Sequence, residues 1–353
     1  MTPALSTTPL DRPVIAFAMG DPAGISPELT AKLIALAESR AASRLVIFGD
    51  RRILAAGAAV AGVSPDVEFV APEGTFGVEG ARPVFVDLGN LDPDDVTPAT
   101  ATLAGGRFAT ENFRRALLLA KSGAADAVLF TPFNKKAMRF AYPAYDDEIR
   151  FVNDVLGLAE PASEFNVLGG LWNARVTSHI PLSAVAASLS EEAILHALVL
   201  TDSALRAAKF PAPRIAVAGL NPHAGDGGSF GREEIDMIAP AIARAAAMGI
   251  GAAGPFPADS VFLRARSGAF DAVLTMYHDQ GQIAMKLMGF DRGVTLLGGF
   301  PFPICTPAHG TAYDIAGRGI ADVGACREAL LLAARMGAIS RAGRASMEER
   351  VAG

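Results

Sequence analysis

The 353-residue chain is 51% hydrophobic and 19% charged, which excludes a disordered protein and supplies apolar material for two domains. A net charge of −6 argues against a general nucleic-acid or membrane-surface binder, although a local basic pocket for an anionic substrate stays open. No run reaches the roughly 18 consecutive apolar residues of a membrane span, and two lone cysteines, Cys305 and Cys326, fit a reducing cytoplasm.

The polar, Thr/Pro-containing stretch 1–12 reads as a loose tail with no secretory signal. An apolar run over 13–19 predicts a strand ending in Gly20-Asp21-Pro22-Ala23-Gly24-Ile25-Ser26-Pro27-Glu28. Ser26 before Pro27 reads as an N-cap with proline at the first helical position. The glycine-bearing loop itself is a tight strand–helix turn or an anion nest, and the turn is preferred. Strands follow over 44–49 and 83–87, then a helix over 110–121 with Phe113, Leu117 and Ala120 on one face, then a strand over 125–130.

Further strands are predicted over 165–168, 174–178, 214–219 and 271–276, among helices over 190–207, 233–247 and 319–336. His196 lies inside the first of these helices and is read as structural. Strands alternating with helices indicate α/β architecture with largely parallel sheet. The expected division is a first lobe over 13–140 and 300–337, a second lobe over 141–299, and the tail.

Three of the five histidines end strand-like runs in polar or glycine-rich contexts: His179, His223 and His278. The carboxyl ends of parallel strands form a functional edge, so these imidazoles can converge there although they are distant in sequence. Three imidazoles and one open position suit a catalytic divalent metal. Three unrelated polar loop histidines remain the other reading. Asp259, in Pro257-Ala258-Asp259-Ser260, is a further carboxylate ligand, a partner of one, or a helix cap.

The most specific local string is His309-Gly310-Thr311-Ala312-Tyr313-Asp314-Ile315-Ala316-Gly317-Arg318-Gly319. His309 can stack on a purine, while Gly310, Thr311 and Ala312 let the backbone approach an adenosine. Asp314 can accept from a ribose diol and would repel a 2′-phosphate, which favours NAD over NADP. No G-x-G-x-x-G follows the first strand. The string resembles the adenosine-binding segment of isocitrate and isopropylmalate dehydrogenases.

Taken with Gly20–Glu28, Gly219-Leu220-Asn221-Pro222-His223-Ala224-Gly225, Pro257-Ala258-Asp259 and Met276-Tyr277-His278-Asp279-Gln280-Gly281, that string is similar to the 4-hydroxythreonine-4-phosphate dehydrogenase family from about residue 13 to 337. The resemblance implies an isocitrate/isopropylmalate-dehydrogenase-like α/β fold of two lobes with an active-site cleft between them, and a homodimer. It implies a divalent metal (Zn, Mg, Mn or Co) on His179, His223 and His278, with NAD as oxidant of a small anionic hydroxy acid. Decarboxylation of the resulting β-keto acid would follow. It makes Lys286 a substrate contact that holds a carboxylate or phosphate or relays a proton; Lys286 and Asp259 are the candidate catalytic residues.

The substrate site departs from the family pattern. Asp146-Asp147 stand where the family has a His-Thr pair, Thr295 replaces an asparagine and Ile304 an arginine. Asp146, Asp147 and Thr295 are therefore the candidate substrate residues, though the two aspartates also suit a helix N-cap. Arg139, Arg150 and Arg292 are candidates to supply the missing positive charge. An unphosphorylated sugar acid or dihydrodiol carboxylate is the alternative substrate. A three-histidine hydrolase or lyase, and a non-catalytic binding protein, are the alternative functions.

Overall fold

Buried runs of Val, Ile, Ala and Phe form strands that leave little backbone in water, and loops gather where glycine and proline interrupt them. The structure is a computed structural model that describes residues 12–73, 82–159 and 162–352, apart from the side chains of Phe290 and of residues beyond 342. The strands are β1 (Val14–Ala18), β2 (Arg44–Gly49), β3 (Glu68–Val70), β4 (Val84–Asp87), β5 (Ala127–Phe130), β6 (Ser163–Leu168), β7 (Leu171–Arg175), β8 (Ile215–Ala218), β9 (Ala252–Phe256), β10 (Ala272–Thr275), β11 (Val294–Gly298) and β12 (Ile304–Pro307). The α-helices are α1 (Ser26–Ala35), α2 (Ala37–Ala42), α3 (Arg51–Ala61), α4 (Leu103–Lys121), α5 (Lys135–Ala141), α6 (Glu148–Leu156), α7 (Val185–Ser188), α8 (Glu191–Ala207), α9 (Ala239–Ala247), α10 (Ala258–Arg266), α11 (His278–Gly289) and α12 (Gly324–Ala352).

The chain divides into two units, 1–160 with 300–353, and 161–299. In the first unit the strand order is β3-β4-β2-β1-β5-β12, and each neighbouring pair is parallel. Its centre holds Phe17, Phe85, Phe108, Phe113 and Phe130, all fully buried. The second unit runs β11-β6-β7-β10-β8-β9, with β11, β6 and β7 antiparallel and the remainder parallel. Among the described residues no single helix is long and apolar enough to cross a membrane.

Several expectations need correction. Residues 141–159, expected in the second lobe, lie in the first unit, where Phe151 of α6 stacks on Phe113 of α4 at 5.5 Å. Ser26 is the first residue of α1 and not its cap, because its hydroxyl donates to Pro132 O at 2.8 Å. β7 lies three residues before its predicted span, since Asn173 and Arg175 are polar yet buried and hide the strand pattern. The last helix begins at Gly324 and not at 319, because Lys32 donates to the carbonyls of Gly319 and Ala321 and holds that segment as a loop. Arg12, counted with the tail, bonds to Arg40 O, and 1–11 lie outside the described residues. His196 is exposed on α8.

Candidate active site

The three histidines leave the carboxyl ends of adjacent parallel strands. His179 follows β7, His278 follows β10 and His223 follows β8, with β10 between the other two. That placement is the functional edge of a parallel sheet. The rings of His179 and His278 have centroids 5.7 Å apart at an interplanar angle of 43°. They line a cavity of about 410 Å³ with Thr177, Ser178, Tyr277 and Asp279.

His278 Nδ1 lies 2.7 Å from Asp279 Oδ1. An imidazole that donates its Nδ1–H to such a carboxylate presents Nε2 to a metal. His278 opens α11, whose first turn is tied on two sides. Gln280 accepts from Met276 N and donates to Gly219 O, both at 2.8 Å, while Gln282 donates to Asn166 Oδ1 at 2.8 Å. Gly281 is obligatory, because a Cβ there would lie 2.1 Å from Asn173 Oδ1. Lys286 is exposed on the helix stripe that carries His278 and Gln282.

His223 stands in an unusual loop. Residues His223, Ala224, Gly225, Asp226 and Gly227 all have left-handed backbone, with φ between 43° and 81°. Three of the five are not glycine, at roughly 1–2 kcal/mol each. The loop is held by Glu234, a buried carboxylate that accepts from Leu220 N and Asn221 N at 2.8 Å and from Asn221 Nδ2 at 2.9 Å. Glu234 opens a turn of π-helix, Glu234–Ile238, of the kind that accompanies functional sites. Sequence reasoning passed over Glu234, whose one signal was an acidic residue close after a glycine-rich loop.

Among the described residues, no three His, Cys, Asp or Glu side chains of one chain come together as a metal-holding group. His179 and His278 share a ring contact and a cavity, and His223 is not among the residues lining that cavity. Asp259 is exposed in the first turn of α10, the position of a helix-dipole partner. Thr295, on β11, is paired with Asn166 and half-buried. Ile304 is fully buried in β12.

Asp147 is the N-cap of α6, accepting from Arg150 N at 2.9 Å, and Asp146 pairs with the Arg150 guanidinium at 2.7 Å. The other two arginines are also engaged, Arg139 with Tyr145 O and Arg292 with Asp291.

In the first unit, the loops after β1 and β12 lock together at the carboxyl edge. Ile25 N donates to Thr311 O at 3.1 Å, and Tyr313 donates to Asp21 Oδ2 at 2.6 Å. Ala312 takes a left-handed backbone, φ 43°. His309 Nδ1–H donates to Gly310 O at 3.0 Å, leaving Nε2 buried and without a partner among the described residues. A Cβ on Gly310 would meet nothing within 4 Å, so there is room beside it. Asp314 is exposed. The space beside Gly310 and the exposed Asp314 carboxylate are what an adenosine would meet here.

Comparison with known proteins gives the family. A protein of Rhizobium meliloti named "Putative 4-hydroxythreonine-4-phosphate dehydrogenase 2" is 66% identical over 94% of this chain and 95% of its own. The crystal structure of 4-hydroxythreonine-4-phosphate dehydrogenase from Klebsiella pneumoniae matches at 35% identity and TM-score 0.80, covering 92% of this chain and 98% of that one. A terephthalate 1,2-cis-dihydrodiol dehydrogenase from Burkholderia xenovorans matches at 29% identity and TM-score 0.63, with the same coverage.

Two α/β units with these relatives define an oxidoreductase acting on a CH–OH donor. Within that class, the family model "Pyridoxal phosphate biosynthetic protein PdxA" matches residues 41–333, and the chain belongs to that family. The hydrolase reading of the histidines falls with that membership.

Proposed function

We propose that the protein is a cytoplasmic, homodimeric, NAD- and divalent-metal-dependent dehydrogenase of a small anionic hydroxy acid, like its 4-hydroxythreonine-4-phosphate dehydrogenase relatives. The observation that carries this reading is the pair of imidazoles of His179 and His278, 5.7 Å apart at one cavity, with Asp279 against Nδ1 of His278. His179 and His278 hold the cation, and His223 from a second copy of the chain completes the donor set. The exposed apolar side chains of Leu182, Ile283 and Leu287 beside the histidine edge support that dimer. Imidazole donors suit Zn or Co better than Mg or Mn, and the Asp279 carboxylate beside His278 would raise its basicity.

When bound, the cation would supply stabilisation of negative charge on the substrate oxygen, and NAD would supply the hydride acceptor. Asp314 and the backbone around Gly310 hold the adenosine end, and the Asp314 charge selects NAD over its phosphorylated form. Lys286 binds the substrate carboxylate and returns a proton to carbon once the β-keto acid has lost carbon dioxide. Asp259 accepts the hydroxyl proton. Buried, unpaired Cys305 and Cys326 suit a reducing compartment.

A second reading concerns the substrate. Ile304 is fully buried, and Arg139, Arg150 and Arg292 already have partners, which favours an acid lacking the phosphate. NADH absorbance with matched phosphorylated and unphosphorylated hydroxy acids, with and without added metal, tests both. Metal-dependent NADH formation supports the assignment, and the kcat/KM ratio between the matched pairs decides the substrate. Absence of turnover with every acid despite measured NAD binding would sink the enzymatic reading in favour of a binding protein.

A further inference from the structure

A polar stripe crosses the sheet face beneath α11. Asn166 of β6 is paired with Asn173 of β7 and with Thr295 of β11, so the three side chains share one face, and Glu164 and Arg175 share it two residues further along. Arg175 is the centre of this stripe, with its side chain 2% exposed. Each of its three nitrogens makes one contact. Nη2 pairs with Glu164, Nη1 donates to Asn166 Oδ1 at 2.7 Å, and Nε donates to Ser178 Oγ at 3.0 Å. Asn166 Oδ1 also receives Gln282 Nε2 at 2.8 Å.

The guanidinium thus reaches the residue beside His179 directly, and through Asn166 reaches the turn of α11 that follows His278. His179 itself has a left-handed backbone, φ 54°, which neighbouring contacts must hold. The Thr177 hydroxyl also ties the two histidine-bearing segments, donating to Met276 O at 2.8 Å, while Arg175 is the group that reaches the helix turn beyond His278 as well.

We propose that Arg175 is a positioning residue that sets His179 against His278, so that the two imidazoles present one cation site. This rests on the metal reading above. A planar fork with three directed donors does this work, and the single ammonium of lysine does not reproduce it. Partners behind metal ligands change affinity by about 10–100-fold when removed.

The test is titration of the full chain with Co²⁺, following the visible ligand-field spectrum and, by chelator competition, the affinity. Two variants are used: Arg175→Lys, which keeps the charge opposite Glu164, and Ser178→Ala, which removes one hydroxyl and leaves the core intact. Urea unfolding of each is followed in parallel. Both variants are expected to bind Co²⁺ about 10-fold or more weakly with an altered spectrum, and Ser178→Ala to keep the wild-type unfolding midpoint. A wild-type spectrum and affinity in Ser178→Ala overturns the proposal even where Arg175→Lys fails to fold. A wild-type protein with no Co²⁺ spectrum overturns the metal reading itself, and the positioning role with it.

Discussion

The two functional edges are held in place by different means. In the first unit, the loop after β1 is fitted backbone to backbone: Asp21 N donates to Pro132 O at 3.0 Å, Ile25 N to Thr311 O at 3.1 Å, and Ala99 N to Ala23 O at 2.9 Å. In the second unit, side chains carry a larger share of that work. Glu234 gathers the His223 loop, Gln280 joins β10 to β8, and Arg175 joins β6 to the His179 loop. A backbone-fitted loop has no room for added atoms, and a loop held by side chains cannot lose one. The first suits a site that takes a large cofactor against its main chain. The second suits a site that aims a few side chains at a small target.

The sharpest way to break the comparison is to add one methyl group to the first unit. A Cβ at Gly20 would lie 2.2 Å from Thr131 O and 2.4 Å from Pro132 O, both backbone atoms that cannot swing aside. Gly20→Ala is expected to lower stability by about 3 kcal/mol in urea unfolding. A loss under about 1 kcal/mol would mean that this loop is softer than its hydrogen bonds imply.

Next comes removal of an acceptor in the second unit. Glu234→Ala leaves the amides of Leu220 and Asn221 without their carboxylate and frees a loop whose left-handed residues store strain. Stability should fall by about 2 kcal/mol. Amide hydrogen exchange should accelerate at Leu220 and Asn221 well before it does in β8. Uniform acceleration across the unit would instead make Glu234 an ordinary core group.

A smaller effect belongs to Asp147, because water can replace an exposed cap. Asp147→Ala is expected to cost about 1 kcal/mol, the ordinary value for an N-cap. If KM for the substrate rises many-fold while the unfolding midpoint barely moves, Asp147 binds substrate and the cap is incidental.

Much of this was legible in the sequence, for physical reasons that also explain what was not. β1, β2, β8 and β10 are short apolar runs buried on both faces, and such runs announce themselves. β11 and β12 flank Gly298-Gly299-Phe300-Pro301-Phe302-Pro303, whose glycines and prolines mask strand ends, and β9 contains Gly254 and Pro255. The histidine edge was readable because each imidazole ends a strand, but which of them meet is a tertiary fact. The Arg175 stripe had a signal that went unused. Glu164 and Asn166, then Asn173 and Arg175, lie two apart on either side of Gly169-Gly170, and a two-residue hairpin there puts all four on one face.

The last test is a slope and not a loss. Asp21 and Asp50 follow the neighbouring strands β1 and β2, and both are buried. Burial lifts the Asp21 carboxyl above its ordinary value, and the Tyr313 hydroxyl and Ala23 amide only partly oppose it. Its proton is held more tightly in the folded chain, so stability from this group is present below the unfolded value and lost as pH rises through the folded one. Burial also pushes Asp50 up, but the Arg52 side chain and the amides of Arg52 and Leu91 outweigh it and leave the carboxyl below its ordinary value. Its contribution is present above the unfolded value and lost as pH falls through the folded one. Urea midpoints measured across the acid range should therefore lose part of their decline with rising pH in Asp21→Asn, and part of their decline with falling pH in Asp50→Asn. Equal changes in both variants would show that arginine pairing, present at one aspartate and absent at the other, does not set the difference.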